Sequence, residues 1–236
     1  MFRNQYDQDM LTWSPQGRLH QVEYAMEAVK QGSTVVACGN QNCVVLAALK
    51  RKQSKLSSMQ GKLFGVNERV GVAVSGLSTD SATLVKLLRE ESVREEFVFG
   101  RVASPSKLAS LVSKSLQIST RESAGRPCGV GLVIVGSSED TGCQILQTCP
   151  SGDVCQMWCT AIGARSQSAR THLEKHLDEL KVATVNKVIH IALRALSESN
   201  VDSEELTSEA CELATVESNL YVSKSPEEVQ VYLDQL

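Results

Sequence analysis

No stretch of the chain approaches the roughly 20 consecutive apolar residues that a membrane-spanning helix requires, although apolar residues make up 42% of it. A membrane partner is therefore not expected. A surplus of charge is missing as well: 24 Lys and Arg stand against 27 Asp and Glu, for a formal net charge of -3. Such a balance gives no global field to recruit nucleic acid or an anionic surface. The opening residues Met1 to Asp9 are largely polar and charged. They lack the apolar core and small-residue cleavage site of a secretory leader, so the expected compartments are the cytoplasm and nucleus.

Signatures of familiar chemistry are also absent. Gly129-Val130-Gly131 lacks the rest of a dinucleotide fingerprint, and no GxxxxGK(S/T) loop occurs, so no nucleotide cofactor is implied. The eight cysteines include a run at Cys143, Cys149, Cys155 and Cys159. None of its spacings is the CxxC of a zinc knuckle. In a reducing compartment these read as small buried hydrophobes in strands rather than as a disulfide framework. His172 and His176 have the i, i+4 spacing of metal ligands, but Leu173-Glu174-Lys175 between them breaks the HExxH order. The pair reads as part of a solvated helical face, and no metal or other cofactor is expected.

What is present is a regular succession of elements. At 236 residues without repeat or low-complexity linker, the chain reads as one domain, 1–236, with residues 1–13 as an arm. Ser14-Pro15 signals a turn. Leu19, Val22, Met26 and Val29 then stripe one face of a helix running from about Arg18 to Gln31, with Gly32 placed to end it. Val- and Ala-rich runs over 33–38 and 43–49 flank the polar Gly39-Asn40-Gln41-Asn42 as a hairpin, and a second pair of runs covers 63–66 and 70–75.

Two helices follow, one from near Ser78-Thr79-Asp80 carrying Leu84, Leu87, Leu88 and Val93, the other opened by Pro105. Strands are expected over 130–135, 144–148 and 154–161, helices over 165–180 and 185–196, and strands again near 211–216 and 220–223. Ser225-Pro226-Glu227-Glu228 announces a final helix with a capping box. Segregated helix pairs and antiparallel-looking strands indicate an α+β fold: two sheets face to face with helices outside both.

A resemblance adds to this. Tyr6-Asp7, Trp13-Ser14-Pro15-Gln16-Gly17-Arg18-Leu19, Gln21-Val22-Glu23-Tyr24-Ala25 and Glu27 to Gly32 together resemble the N-terminal signature of proteasome alpha subunits. Further likeness runs through Ser75-Gly76-Leu77, Arg126 to Gly131 and Ala161 to Ser166. The opening residues Met1 to Asp7 and the run Ile162 to Thr171 resemble the type-1 branch most. The resemblance implies a four-layer αββα sandwich of two antiparallel sheets, the N-terminal-nucleophile hydrolase-like fold. It also implies a non-catalytic role in a heteroheptameric ring with six other alpha subunits, stacked on beta-ring subunits. The ring would gate substrate entry and dock the C-terminal tails of a regulatory particle or other activators, in ATP- and ubiquitin-dependent protein degradation.

Residue by residue, the family's gate cluster falls on Tyr6, Asp7, Pro15 and Tyr24, and its activator-tail pocket on Gly32, Lys62, Gly76 and Leu77. Ser123 and Cys128 stand where the family carries tyrosines, a departure that bears on the gate. The alternative is a self-processing peptidase. In the catalytic relatives a terminal Thr attacks with its own amine as base, and the corresponding point here is Ser33 or Thr34. Against that, Ser33 follows a patterned helix rather than a dispensable propeptide. Leu49, after Ala47-Ala48, replaces the aspartate of the catalytic relatives, leaving Lys62 without its partners. The basic run Lys50-Arg51-Lys52-Gln53-Ser54-Lys55 has the composition of a nuclear-import signal or an acidic-partner patch, with a solvated loop as the plainer reading.

Overall fold

A computed structural model describes residues 6, 9–52, 54, 56–122, 125–200 and 206–236. Helix α1 (His20–Gln31) precedes a hairpin of β1 (Val35–Gly39) and β2 (Cys43–Leu49), then β3 (Leu63–Gly65) and β4 (Val70–Gly76). Helices α2 (Ser78–Phe99) and α3 (Pro105–Arg121) lead to β5 (Val130–Ser138), β6 (Gly142–Thr148), β7 (Val154–Met157) and β8 (Cys159–Ile162). The chain continues through α4 (Ser166–Lys175), α5 (Leu177–Leu180), α6 (Val185–Glu198), β9 (Cys211–Glu217), β10 (Leu220–Ser223) and α7 (Pro226–Leu233).

The strands form two five-stranded sheets, in the orders β10-β9-β2-β1-β8 and β3-β4-β5-β6-β7, and these neighbours all pair antiparallel. Strand alternation builds the layers. In β2, Val44, Leu46 and Ala48 face the second sheet, while Val45 and Ala47 face α4 and α6. In β5, Val133 and Val135 face the first sheet, while Leu132 and Ile134 pack with Leu88, Leu108 and Leu116 of α2 and α3. Two sheets sandwiched between helical layers follow from this alternation. The αββα architecture inferred from the sequence is thus the observed one.

Three local readings need correction. The β-like run over 154–161 is two strands in different sheets, since Met157 pairs with Ile145 of β6 and Cys159 with Cys38 of β1. One half-exposed residue, Trp158, carries the chain across, and no Gly or Pro in the run marks the change of sheet. The helix expected over 165–180 breaks at His176, whose backbone (φ −105°, ψ 10°) leaves the helical range. Val93 lies outside the buried stripe of α2, which runs instead through Ser92 and Glu95. The Glu95 carboxylate is buried and accepts hydrogen bonds from Arg101, with the nearer nitrogen at 3.0 Å. The final helix has the expected capping box: Ser225 Oγ accepts from Glu228 N, and Ser225 N donates to the Glu228 carboxylate.

Candidate functional site

The start of β3 is pinned from the other sheet. The Glu212 carboxylate on β9 accepts hydrogen bonds from the backbone N–H of both Lys62 (2.7 Å) and Leu63 (3.0 Å). A side chain at Gly61 would press on the same carboxylate, its Cβ 3.0 Å from Oε1. The Lys62 carbonyl in turn accepts from Val74 N of β4 at 3.1 Å. So held, the Lys62 side chain enters a cavity of about 670 Å³ whose lining includes Phe64, Val74, Gly76, Val85, Arg89 and Glu90.

Its ammonium contacts the Val74 carbonyl at 3.5 Å. Burial of the ammonium, reinforced by the positive charge of Arg51 and opposed by Glu212, lowers the Lys62 pKa to about 8. Arg51 itself donates to the Gln31 carbonyl at the end of α1, at 3.3 Å. One member of the basic run is therefore tied to the site; Gln53 and Lys55 of that run lie outside the described residues.

Gly76 lines this cavity, and Leu77 follows it as the N-terminal cap of α2. Gly76 has φ +121°, and a Cβ there would come within 2.1 Å of the Gly129 carbonyl oxygen. Leu77 N donates to that same oxygen at 3.0 Å. Gly32 does not end α1 in the left-handed conformation expected of a glycine cap. It is extended instead (φ −65°, ψ 153°). Its requirement for glycine is steric, because a Cβ would meet Gly76 N and Ser75 Oγ at 2.4 Å each. Gly32 and Gly76 are thus packed backbone against backbone, and Gly76 shares the cavity with Lys62.

Residues that sequence reading passes over fix this junction. Asp80, in the first turn of α2, takes a two-pronged ion pair from Arg126 at 2.7 and 2.8 Å and a hydrogen bond from Gly129 N at 2.9 Å. The Arg126 hydrogen bonds hold the Asp80 carboxyl below its usual pKa, and the Gly129 amide adds to this against the effect of burial. The 129–130 backbone is thereby held beside Gly76. Arg126 stands out in the sequence only as part of a motif, Asp80 only as part of a helix start, and Glu212 carries no signal of its own, since each acts on a distant part of the chain.

Of the residues expected at a gate, Tyr6 is half-buried, Pro15 is exposed and Asp7 lies outside the described residues. Pro15 sits in a turn closed by Gly17 N on the Ser14 carbonyl at 2.8 Å, with Gly17 at φ +74°. Arg18 N donates to Ser14 Oγ at 3.1 Å, and the Arg18 guanidinium grips Glu23 of α1. Tyr24 is 48% exposed and stacks on His20, with ring centroids 6.2 Å apart. Cys128 packs partly buried against the α2 and α3 layer; Ser123 lies outside the described residues.

At the nucleophile position, Ser33 is 2% exposed and continues the chain from α1 through Gly32. Thr34 Oγ1 donates to the Ala164 carbonyl at 2.6 Å. Leu49 bonds Thr34 through its backbone and packs its side chain toward the helical layer. The two histidines depart from the expected solvated face. His172 is buried, its Nδ1 lies 2.6 Å from Glu198, and its ring stacks on His176 at 4.4 Å. Among the described residues, no group of three or more His, Cys, Asp or Glu side chains is arranged to hold a metal ion, and no helix is long and apolar enough to cross a membrane. All eight cysteines are free thiols.

Comparison with known proteins decides what this arrangement belongs to. The family described as "Proteasome subunit" matches residues 29–216, and the N-terminal signature of A-type proteasome subunits matches residues 6–28. The chain is a proteasome subunit of the alpha type. This alpha subunit is 42% identical over 205 residues to the proteasome alpha type-1 subunit of Dictyostelium discoideum, covering 87% of this chain and 82% of that protein. It is 41% identical to the protein of the same name in Caenorhabditis elegans, over 100% of this chain and 91% of that one. It is 40% identical to the probable proteasome alpha type-6 subunit of Schizosaccharomyces pombe, over 100% and 87%. Alpha-type subunits are non-catalytic.

Proposed function

We propose that this alpha subunit helps to gate substrate entry into the proteasome core particle and docks the C-terminal tails of activators. The observation that carries the reading is the Lys62 ammonium, held in an open cavity beside the bare backbone of Gly76. An ammonium attracts a terminal carboxylate, and a glycine lets a peptide backbone approach closely. Lys62, Gly76, Leu77 and Gly32 form the tail pocket; Tyr6, Asp7, Pro15 and Tyr24 form the gate cluster behind an arm of residues 1–13 on a domain of 1–236. The partners are six other alpha subunits, the beta ring below them, and a regulatory particle or another tail-bearing activator. The cytoplasm and nucleus are the compartments of this work.

Lys62→Ala in assembled particles tests the docking role. Loss of a charge-assisted contact should weaken binding of a tail peptide at this pocket about tenfold or more. It should also lower stimulation, measured as a ratio over each particle's own basal rate. Unchanged stimulation in particles with the neighbouring pockets also disabled would remove Lys62 from the site. A pH series adds a sign. The ammonium is lost as pH rises through about 8, so tail binding here should fall between neutral and alkaline pH, and Lys62→Arg should flatten that fall. For the gate, deletion of residues 2–9 should raise basal peptide hydrolysis modestly. An unaffected rate would assign closure to the neighbouring arms.

A further inference from the structure

We propose that Lys62 is a site of selective N-acylation, a covalent switch that shuts the cavity to activator tails. The inference rests on the docking reading and adds to it a means of regulation. Its basis is the place of Lys62 in the cavity: six other lysines are ion-paired, and Lys50, Lys52, Lys114 and Lys175, which have no carboxylate partner among the described residues, do not line it. Lys30, Lys86, Lys107, Lys181, Lys187 and Lys224 each have a carboxylate near the ammonium, from 2.6 Å at Glu27 to 3.9 Å at Glu95. A neighbouring carboxylate favours the charged ammonium over the nucleophilic amine.

At Lys62 the ammonium meets a neutral carbonyl at 3.5 Å. The adjacent carboxylate, Glu212, is engaged by the backbone amides of residues 62 and 63. The remaining charges around the cavity are Arg51, Lys86 and Arg89 against Glu90, and Glu90 is the partner of Lys86. Phe64, Val74 and Val85 supply apolar wall. Cationic neighbours and apolar walls both favour the neutral amine, consistent with a Lys62 pKa of about 8. The cavity, at about 670 Å³, has room for a small reagent.

The reagent class is an acyl thioester. The neutral Nζ attacks the acyl carbonyl carbon, a C–N bond forms and the C–S bond breaks. The sulfur leaves with the electron pair as thiolate and takes up the proton released by the nitrogen. The products are a neutral secondary amide and a thiol, with no oxidant or reductant required. Acylation removes the positive charge a tail carboxylate would meet and puts the acyl group into the space the tail would enter.

The test uses assembled particles treated at pH 7.5 with a limiting amount of the acetyl thioester of N-acetylcysteamine. Peptide mapping by mass spectrometry follows acetylation at each lysine, and tail-peptide stimulation is assayed on the same samples. Lys62 should acetylate about tenfold faster than Lys86, because its amine sits against apolar walls and a neutral carbonyl and gives up its proton near pH 8. Stimulation through this pocket should fall in proportion to its occupancy. An acetylation rate at Lys62 equal to or below that of Lys86 overturns the proposal, as does full acetylation with stimulation intact. If Lys62→Ala itself leaves stimulation intact, the docking reading fails. If that variant loses stimulation while Lys62 acetylates at the ordinary rate, only the switch fails.

Discussion

Replacing Gly76 with alanine is expected to destabilise the subunit by about 3 to 5 kcal/mol, through backbone strain combined with a clash that cannot relax locally. The backbone at this position has φ +121°, which L side chains rarely adopt. The new Cβ would also meet the Gly129 carbonyl oxygen at 2.1 Å and Val130 Cα at 3.0 Å. Both atoms are backbone, so no side-chain rotation relieves the contact. The Gly76–Val130 pairing of β4 and β5 would open, together with the Leu77 N to Gly129 O hydrogen bond. Both hold one wall of the Lys62 cavity. Thermal unfolding of the purified subunit should show a melting temperature lower by about 10 °C, and less of the variant should enter particles. A loss below about 1 kcal/mol would show that the two strands slide apart cheaply and that the cavity wall is not rigid.

Asp80→Asn is expected to cost about 2 kcal/mol. The substitution keeps the size of the side chain and removes the charge that accepts the two Arg126 hydrogen bonds. Arg126 is 58% exposed, so water screens part of the pair and the figure stays below that of a fully buried one. The pH dependence has a definite sign. The folded-state pKa of Asp80 is depressed, chiefly by Arg126. Its contribution is therefore fully present above the unfolded value near pH 4 and disappears as pH falls through the lower folded value. Denaturant titrations should show parent and variant separated at neutral pH and converging under acid. A gap that persists unchanged at the lowest pH at which both fold would assign the cost to shape rather than charge.

These two residues mark where sequence reading stops. Helices striped at helical spacing, and strands written as short apolar runs between turn residues, were legible because the local pattern and the buried layer agree, as in Val44 to Ala48, buried on both faces, and in the Ser225 cap. The division between β7 and β8 was not, because Met157 and Cys159 differ only in which distant strand pairs with them. Burial of Glu95 and His172 was likewise hidden, since the fold brings Arg101 to the Glu95 carboxylate and Glu198 to His172 Nδ1 from elsewhere in the chain.

The site divides in the same way. Lys62, Gly32 and Gly76 were found through a resemblance, and no local pattern set Lys62 apart from an ordinary surface lysine. Glu212, which holds Lys62 in place, lies 150 residues away and had no signal of its own. Gly32 reads in the sequence as a helix stop, whereas its lack of a Cβ admits the backbone of Gly76. The loss of catalysis was more legible. Leu49 and the patterned helix before Ser33 both spoke against a terminal nucleophile, and the match to the alpha-type signature agrees.

Native mass spectrometry of particles isolated from cells, with subunit identification, tests the central claim most directly. The account predicts this chain inside a large ring complex with other proteasome subunits, still carrying the residues that precede Ser33. Recovery only as a free monomer would contradict the ring role, and a mature species beginning at Ser33 or Thr34 would contradict the absence of catalysis.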